Sequence, residues 1–159
     1  MPKSFLVAPL PAERVGQALP VVQALDPALT PTRWQAMASP FLTPGAPRGI
    51  MACRMGTGHV RGLFCYALDG TGVLRIDPFA VAGLFDARAT AEGLIEAIGQ
   101  LAERFGAAGV TVNLEDCAAA TVPQCDLAAL FGAYGYRREG NVLTRGTAGM
   151  KTAAPAGTA

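Results

Sequence analysis

The sequence predicts an α/β (α+β) fold, a mixed and mostly antiparallel central sheet of about six strands flanked by about four helices. Three observations carry this. Residues 49–81 alternate apolar, β-branched and aromatic side chains between glycine-rich turns, the pattern of consecutive antiparallel strands. Residues 89–105 place large apolar side chains at helical spacing. The 159 residues are 51% hydrophobic and 16% charged, against about 25% charged in an ordinary globular chain. That is enough to bury one core, so a single domain over residues 1–145 is expected, with a flexible Gly/Ala/Thr/Pro tail over 146–159.

Phe5-Leu6-Val7 reads as an opening strand closed by Pro9 and Pro11. Val15, Leu19 and Val22 then recur at helical spacing, and Pro20, which lacks a backbone donor, should kink or divide that helix. Thr30-Pro31 supplies a cap and a first-turn proline for a second short helix, whose expected buried face is Trp34 and Met37. The Pro/Gly-rich residues 39–49 read as a loop. Three antiparallel strands follow, turned at Gly56-Thr57-Gly58 and Asp69-Gly70-Thr71-Gly72, and hairpin turns account for both Gly-x-Gly triplets without a phosphate. The long helix directs Leu94, Ile98, Leu101 and Phe105 inward, and Gly106 and Gly109 end it. Residues 110–114 form a strand, 126–133 a short helix and 141–145 a last strand.

Thirteen Lys+Arg against twelve Asp+Glu leave a net charge of +1, and no basic run tracks a phosphate backbone, which argues against nucleic acid as a partner. No apolar stretch reaches the roughly 20 residues of a bilayer span, and no signal-peptide core opens the chain. A soluble cytoplasmic protein without a membrane partner is therefore expected. Cys53, Cys65, Cys117 and Cys125 form no C-x-x-C pair, which predicts reduced structural thiols and no metal site.

Two local patterns accompany the element order. Asp86-Ala87-Arg88-Ala89-Thr90-Ala91 leads into the long helix, and residues 124–136 end in Leu130-Phe131-x-x-x-Gly135-Tyr136. With strand, two helices, three-stranded meander, long helix, strand, short helix and strand in that order over roughly residues 5–145, the chain resembles the GNAT superfamily of acetyl-CoA-dependent N-acetyltransferases. The resemblance implies acetyl-CoA as cofactor, with strand backbone holding the pantetheine and the helix N-terminus holding the pyrophosphate. The family loop Q/R-x-x-G-x-G/A falls on residues 86–91, so Val81, Arg88, Ala89, Thr90 and Ala91 are the implied cofactor contacts. Asp86 stands at the Q/R position and Ala89 at the glycine. The family pattern N-x-x-A-x-x-L-Y-x-x-x-G-F puts Gln124 at the Asn, a further implied cofactor contact. Phe131 takes the place of the tyrosine that protonates the departing thiolate in many members. Phenylalanine has no such proton, which leaves water or a neighbour such as Tyr134.

Acyl transfer to an amine also needs a base, and two carboxylates flank the family's central splay, Asp77 and Glu115. Asp77 sits in an otherwise apolar strand, where desolvation raises a carboxyl pKa unless a partner such as Arg75 opposes it. It reads equally as a structural Asp at a proline-broken strand, and Glu115 as a solvated strand end. His59 is a turn residue or a substrate contact. Cys117 and Cys125 are structural thiols or, less simply, a nucleophile. Phe64, Tyr66, Tyr134 and Tyr136 read as core or sheet-face aromatics. After Tyr136 there is room for a very short hairpin or for one strand, and an open edge would favour a homodimer. The functional expectation is an N-acetyltransferase that acts on a small-molecule or protein amine. The alternative is a non-catalytic GNAT-like module that binds a ligand or a protein.

Overall fold

The period-two alternation of the middle of the chain sorts its side chains onto two faces of one sheet. In the computed structural model, which describes residues 6–43, 45–54, 59–82 and 86–146, β1 (Leu6–Pro9), β2 (Arg48–Arg54), β3 (Val60–Leu68) and β4 (Val73–Val81) pair antiparallel in sequence order. Phe5, the Gly56-Thr57-Gly58 turn and the tail beyond Gly146 lie outside the described residues. On its other side β4 runs parallel to β5 (Gly109–Asn113) and, further along, to β6 (Cys117–Ala119). A hairpin of β7 (Arg137–Glu139) and β8 (Val142–Arg145) finishes the sheet, with β8 against β5. Among the described residues the sheet thus has eight strands. The additions to the expected set are β6 and β7, and β7 covers the edge that a missing strand would have left open.

Ile50, Ala52, Leu63, Cys65 and Ala80 face one way, and the N-terminal elements pack on them: a 3-10 helix over Ala12–Ala18, α1 (Leu19–Val22) and α2 (Pro31–Ala38). Pro20 divides the first segment as expected, because it falls in the first turn of α1, where a missing N–H costs no helical bond. Thr30 caps α2 by accepting the Arg33 amide at 3.2 Å. Trp34 is 1% exposed and its indole N–H donates to the Val15 carbonyl at 2.8 Å. Met37, expected beside it, is 44% exposed. Ala38 takes the inward place instead, since it lies one full helical turn beyond Trp34. The predicted loop begins with a further 3-10 turn over Ser39–Leu42.

The opposite face carries Met51, Cys53, Phe64, Leu74, Ile76, Phe79 and Val81 beneath α3 (Ala87–Phe105) and α4 (Gln124–Ala133). Leu94, Ile98 and Leu101 are buried as the periodicity requires, and Gly106 closes α3 in the left-handed region at φ 64°. The helix lies tight on the sheet at Gly62. A Cβ there would stand 3.0 Å from Leu94 Cδ1 and 3.1 Å from Thr90 Cγ2.

Trp34→Phe removes the indole donor and strands the Val15 carbonyl in a dry layer. A loss of about 2 kcal/mol is expected, read as a lower urea midpoint at constant m-value. An unchanged midpoint would show that this bond does not hold the N-terminal layer to the sheet.

Candidate functional site

Along β3 and β4, Phe64 pairs with Phe79 and Tyr66 with Ile76, so Cys65 alone faces two residues, Asp77 and Pro78. Such a bulge re-aims side chains. Ile76 and Phe79, three positions apart, both join the core under α3, and Asp77 is left beside Cys65, a residue of the face that carries the N-terminal helices.

At the same point β5 leaves β4. Their ladder runs from Val73–Gly109 to Ile76–Val112, after which the chain swings out in a 3-10 turn over Leu114–Asp116. It returns as β6, paired at Phe79–Cys117, Ala80–Ala118 and Val81–Ala119, and the Ala120 amide donates to the Val81 carbonyl at 2.9 Å. Between the two ladders Asp77 meets Asp116, a residue that sequence reasoning passed over. Asn113 positions Asp116, donating from Nδ2 to its Oδ2 at 3.0 Å, while its Oδ1 accepts the Glu115 amide at 3.2 Å. The Asn113-x-x-Asp116 spacing was the available signal, a polar pair that tightens a turn at the end of an apolar strand.

Partial burial of the carboxyl, then the Asp116 charge and a hydrogen bond shared with Asp116, raise the Asp77 pKa from an ordinary 3.8 to about 6. The residue as a whole remains exposed, so solvent reaches the acid. The expected partner, Arg75, is engaged elsewhere, with Nε 3.0 Å from Asp69 Oδ2. The cause is the hairpin turn. Asp69 Oδ1 accepts the Thr71 amide at 2.8 Å, the Thr71 hydroxyl at 2.6 Å and the Val73 amide at 3.0 Å, which leaves its second oxygen for Arg75. Nor does Pro78 break the strand, since β4 continues to Val81.

Glu115 lies beyond the end of β5 and accepts the Asn141 amide at 2.7 Å, which ties it to the final hairpin. His59 is exposed just before β3. Cys117 is buried and donates to the Asn113 carbonyl at 3.3 Å, and burial together with the charges of Asp116 and Asp77 pushes its thiol pKa far up, against thiolate chemistry. Cys125 is exposed in the first turn of α4.

The N-terminus of α3 opens on a cavity of about 290 Å³ lined by Asp86, Arg88, Thr121, Val122, Asp126 and Leu130 among others. Asp86 enters the helix at φ 63°, and its side chain makes no capping bond. Arg88 is exposed, 3.7 Å from Glu92. Ala89 is half-buried, whereas Thr90 and Ala91 are buried against the sheet. Gln124 donates its side-chain amide to the Leu114 carbonyl at 2.9 Å. Phe131 is fully buried, edge-on to Phe79 at 5.2 Å and to Tyr136 at 5.1 Å. Tyr134 donates to Glu96 at 3.1 Å. Phe79, Ala80 and Val81, on the strand whose backbone the resemblance assigns to the pantetheine, are paired with β6. In this arrangement the residues do not accommodate that arm.

No protein-family model and no curated protein matches the sequence. Among solved structures, the chain is similar to a GCN5-related N-acetyltransferase from Kribbella flavida (TM-score 0.68, 21% identity, covering 89% of this chain and 97% of that one). It is similar also to an aminoglycoside 6'-acetyltransferase type Ii (TM-score 0.69, 9% identity, 89% and 97% covered). A third is the PaiA N-acetyltransferase from Thermoplasma acidophilum in complex with coenzyme A (TM-score 0.63, 6% identity, 90% and 99% covered). The chain has the GNAT fold. In GNAT terms, the parting of β4 from β5 after Ile76 is the central splay, with Asp77 at its opening and β6 laid into it.

Because the folded-state pKa of Asp77 is raised, its protonated form contributes stability that is complete below about pH 4 and is lost as pH rises through about 6. Asp77→Asn, neutral throughout, should therefore be more stable than the parent at neutral pH by about 1 kcal/mol, a figure kept low by solvent screening of a carboxyl that is only partly buried. The gain should vanish near pH 4. Thermal unfolding of both proteins across this range tests it, and parallel pH profiles would show that folding does not raise the Asp77 pKa.

Proposed function

We propose that this protein is an acyl-CoA-dependent N-acyltransferase of the GNAT type, moving an acetyl or related acyl group to a small-molecule or protein amine, with Asp77 as the base. The observation that carries the reading is Asp77 itself, a partly buried carboxyl within reach of solvent, its pKa raised to about 6, set on a strand bulge where β4 and β5 part. A base is most effective when its pKa lies near the working pH. Asp77 stands beside the face covered by the N-terminal helical layer, so an amine would approach from that side. Asp116 then acts as a positioning residue: it shares a hydrogen bond with Asp77 and is itself held by Asn113. Glu115 is the second candidate base, on the same turn but bound to Asn141.

A non-catalytic module that uses the same fold is the second reading, and the closed β4–β6 ladder favours it, together with Asp86, Asp126 and the buried Phe131. Two acids against one arginine are a poor lining for a pyrophosphate.

Thermal shift with acetyl-CoA and with CoA separates the readings, since a ligand at 100 times its Kd stabilises by about 2.7 kcal/mol. A shift accompanied by CoA release over an amine panel is expected, with Asp77→Asn reducing turnover at least tenfold and leaving the shift in place. No shift at millimolar ligand would sink the transferase reading. A shift without CoA release favours the module.

A further inference from the structure

We propose that the cavity between α3 and Arg145 of β8 binds a small free amino acid, with its carboxylate on the guanidinium and its ammonium on Glu96 or Glu103. The cavity is about 270 Å³ and is lined by Glu96, Gly99, Gln100 and Glu103 of α3, by Tyr134 at the end of α4 and by Arg145. Neither Asp77 nor Asp116 lines it, so the inference is independent of the transferase reading.

Arg145 is built in as a fixed cation. Its guanidinium carbon stands 5.8 Å from the centre of the Tyr136 ring, a cation–π contact. Two glycines leave it room, since a Cβ on Gly99 would stand 3.4 Å from Nη1 and one on Gly135 would stand 3.7 Å from Nε. Tyr136 is buried, and its hydroxyl lies near the guanidinium but outside hydrogen-bond geometry, so the hydroxyl and Nε are both buried without a partner. Among the described residues no carboxylate forms an ion pair with Arg145. A guanidinium held in this way has given up part of its hydration and has no anion in exchange. Its planar fork suits a carboxylate.

The neighbouring charges narrow the class of ligand. Nη1 meets α3 at Gly99, and Glu96 and Glu103 stand three positions before and four positions after it, each about 5 Å away along the helix axis. The Tyr134 hydroxyl donates to Glu96 Oε2 at 3.1 Å and so holds one of these carboxylates in place. A plain anion would meet the two glutamates, and a plain cation would meet the arginine. A molecule with both charges close together answers all three groups. An amino acid carries its ammonium and carboxylate on one carbon. The cavity falls just under the roughly 300 Å³ at which sites for larger small molecules begin, which specifies a small side chain. Bound there, the ligand would tie the last strand to α3.

The test uses glycine, L-alanine and L-serine as probes and reads backbone amide chemical shifts. At least one of the three should move the signals of residues 96–103, 134 and 145 at millimolar concentration. Its amide, which lacks the carboxylate, and its N-acetyl form, which lacks the ammonium, should each bind about tenfold or more weakly, because each forfeits a charge-assisted contact. Arg145→Gln should weaken the amino acid by a similar factor. The comparison of the three forms needs no variant and decides the matter alone if Arg145→Gln does not fold. Absence of shifts with all three probes overturns the site. Equal binding of the amide or the N-acetyl form overturns the assignment to an amino acid, and unchanged affinity in a folded Arg145→Gln overturns the role of the guanidinium.

Discussion

The hydrogen bonding of β4 on both of its edges is the constraint on which the rest of the structure depends. β3 holds one edge, and β5 followed by β6 holds the other. A strand tied in this way can carry two dry faces, with Leu74, Ile76, Phe79 and Val81 under α3 and α4, and Ala80 under the N-terminal layer. It also concentrates its irregularities in one place. The bulge at Asp77-Pro78 and the change of partner from β5 to β6 coincide, so the only acid on the β4 strand falls where the ladder is interrupted and water can reach it.

The chemistry of the splay follows from that coincidence. A carboxyl in an intact ladder would point into core or into bulk water. Here Asp77 is exposed but has Asp116 for a neighbour, and two carboxyls that near to each other do not both ionise easily. Asn113 settles which of them is held in place, since it binds Asp116 and leaves Asp77 to face the opening. No phenol faces the two carboxyls from the aromatic residues of α4 and its end. Phe131 is wedged between two aromatic rings, and Tyr134 is turned to Glu96 on α3, so no phenol is placed at the splay by either residue.

Elements with long, regular signals were legible in the sequence. The meander and α3 announce themselves through periods of two and 3.6, and the order of elements was enough to name the fold. Shorter features were not legible, for physical reasons. β6 is Cys-Ala-Ala, without β-branching or alternation, and it is a strand only because the β4 edge is there to pair with it. β7 is Arg-Arg-Glu, fully exposed, and owes its conformation to β8. Within the site, Asp77 stood out because an acid in an apolar strand is anomalous. Asp116 did not, since an acid in a turn is ordinary until the fold brings it across from another. The pairing of Asp77 with Arg75 failed because Asp69 competes for the same guanidinium from a turn that already orients it. Met37 was misplaced by counting three residues from Trp34 where the buried stripe advances by four.

The hydrogen bond between the Trp34 indole and Val15 has an optical consequence. Trp34 is the single tryptophan of the chain and belongs wholly to the layer of N-terminal helices. Tryptophan emission, excited selectively over the three tyrosines, is thus a one-sided gauge: it registers whether that layer is seated on the sheet and not the state of the α3 and α4 side. Circular dichroism weighs both sides. Agreement or disagreement of the two signals during unfolding would say whether the two cores, which share only the thickness of one sheet, melt as one body or as two.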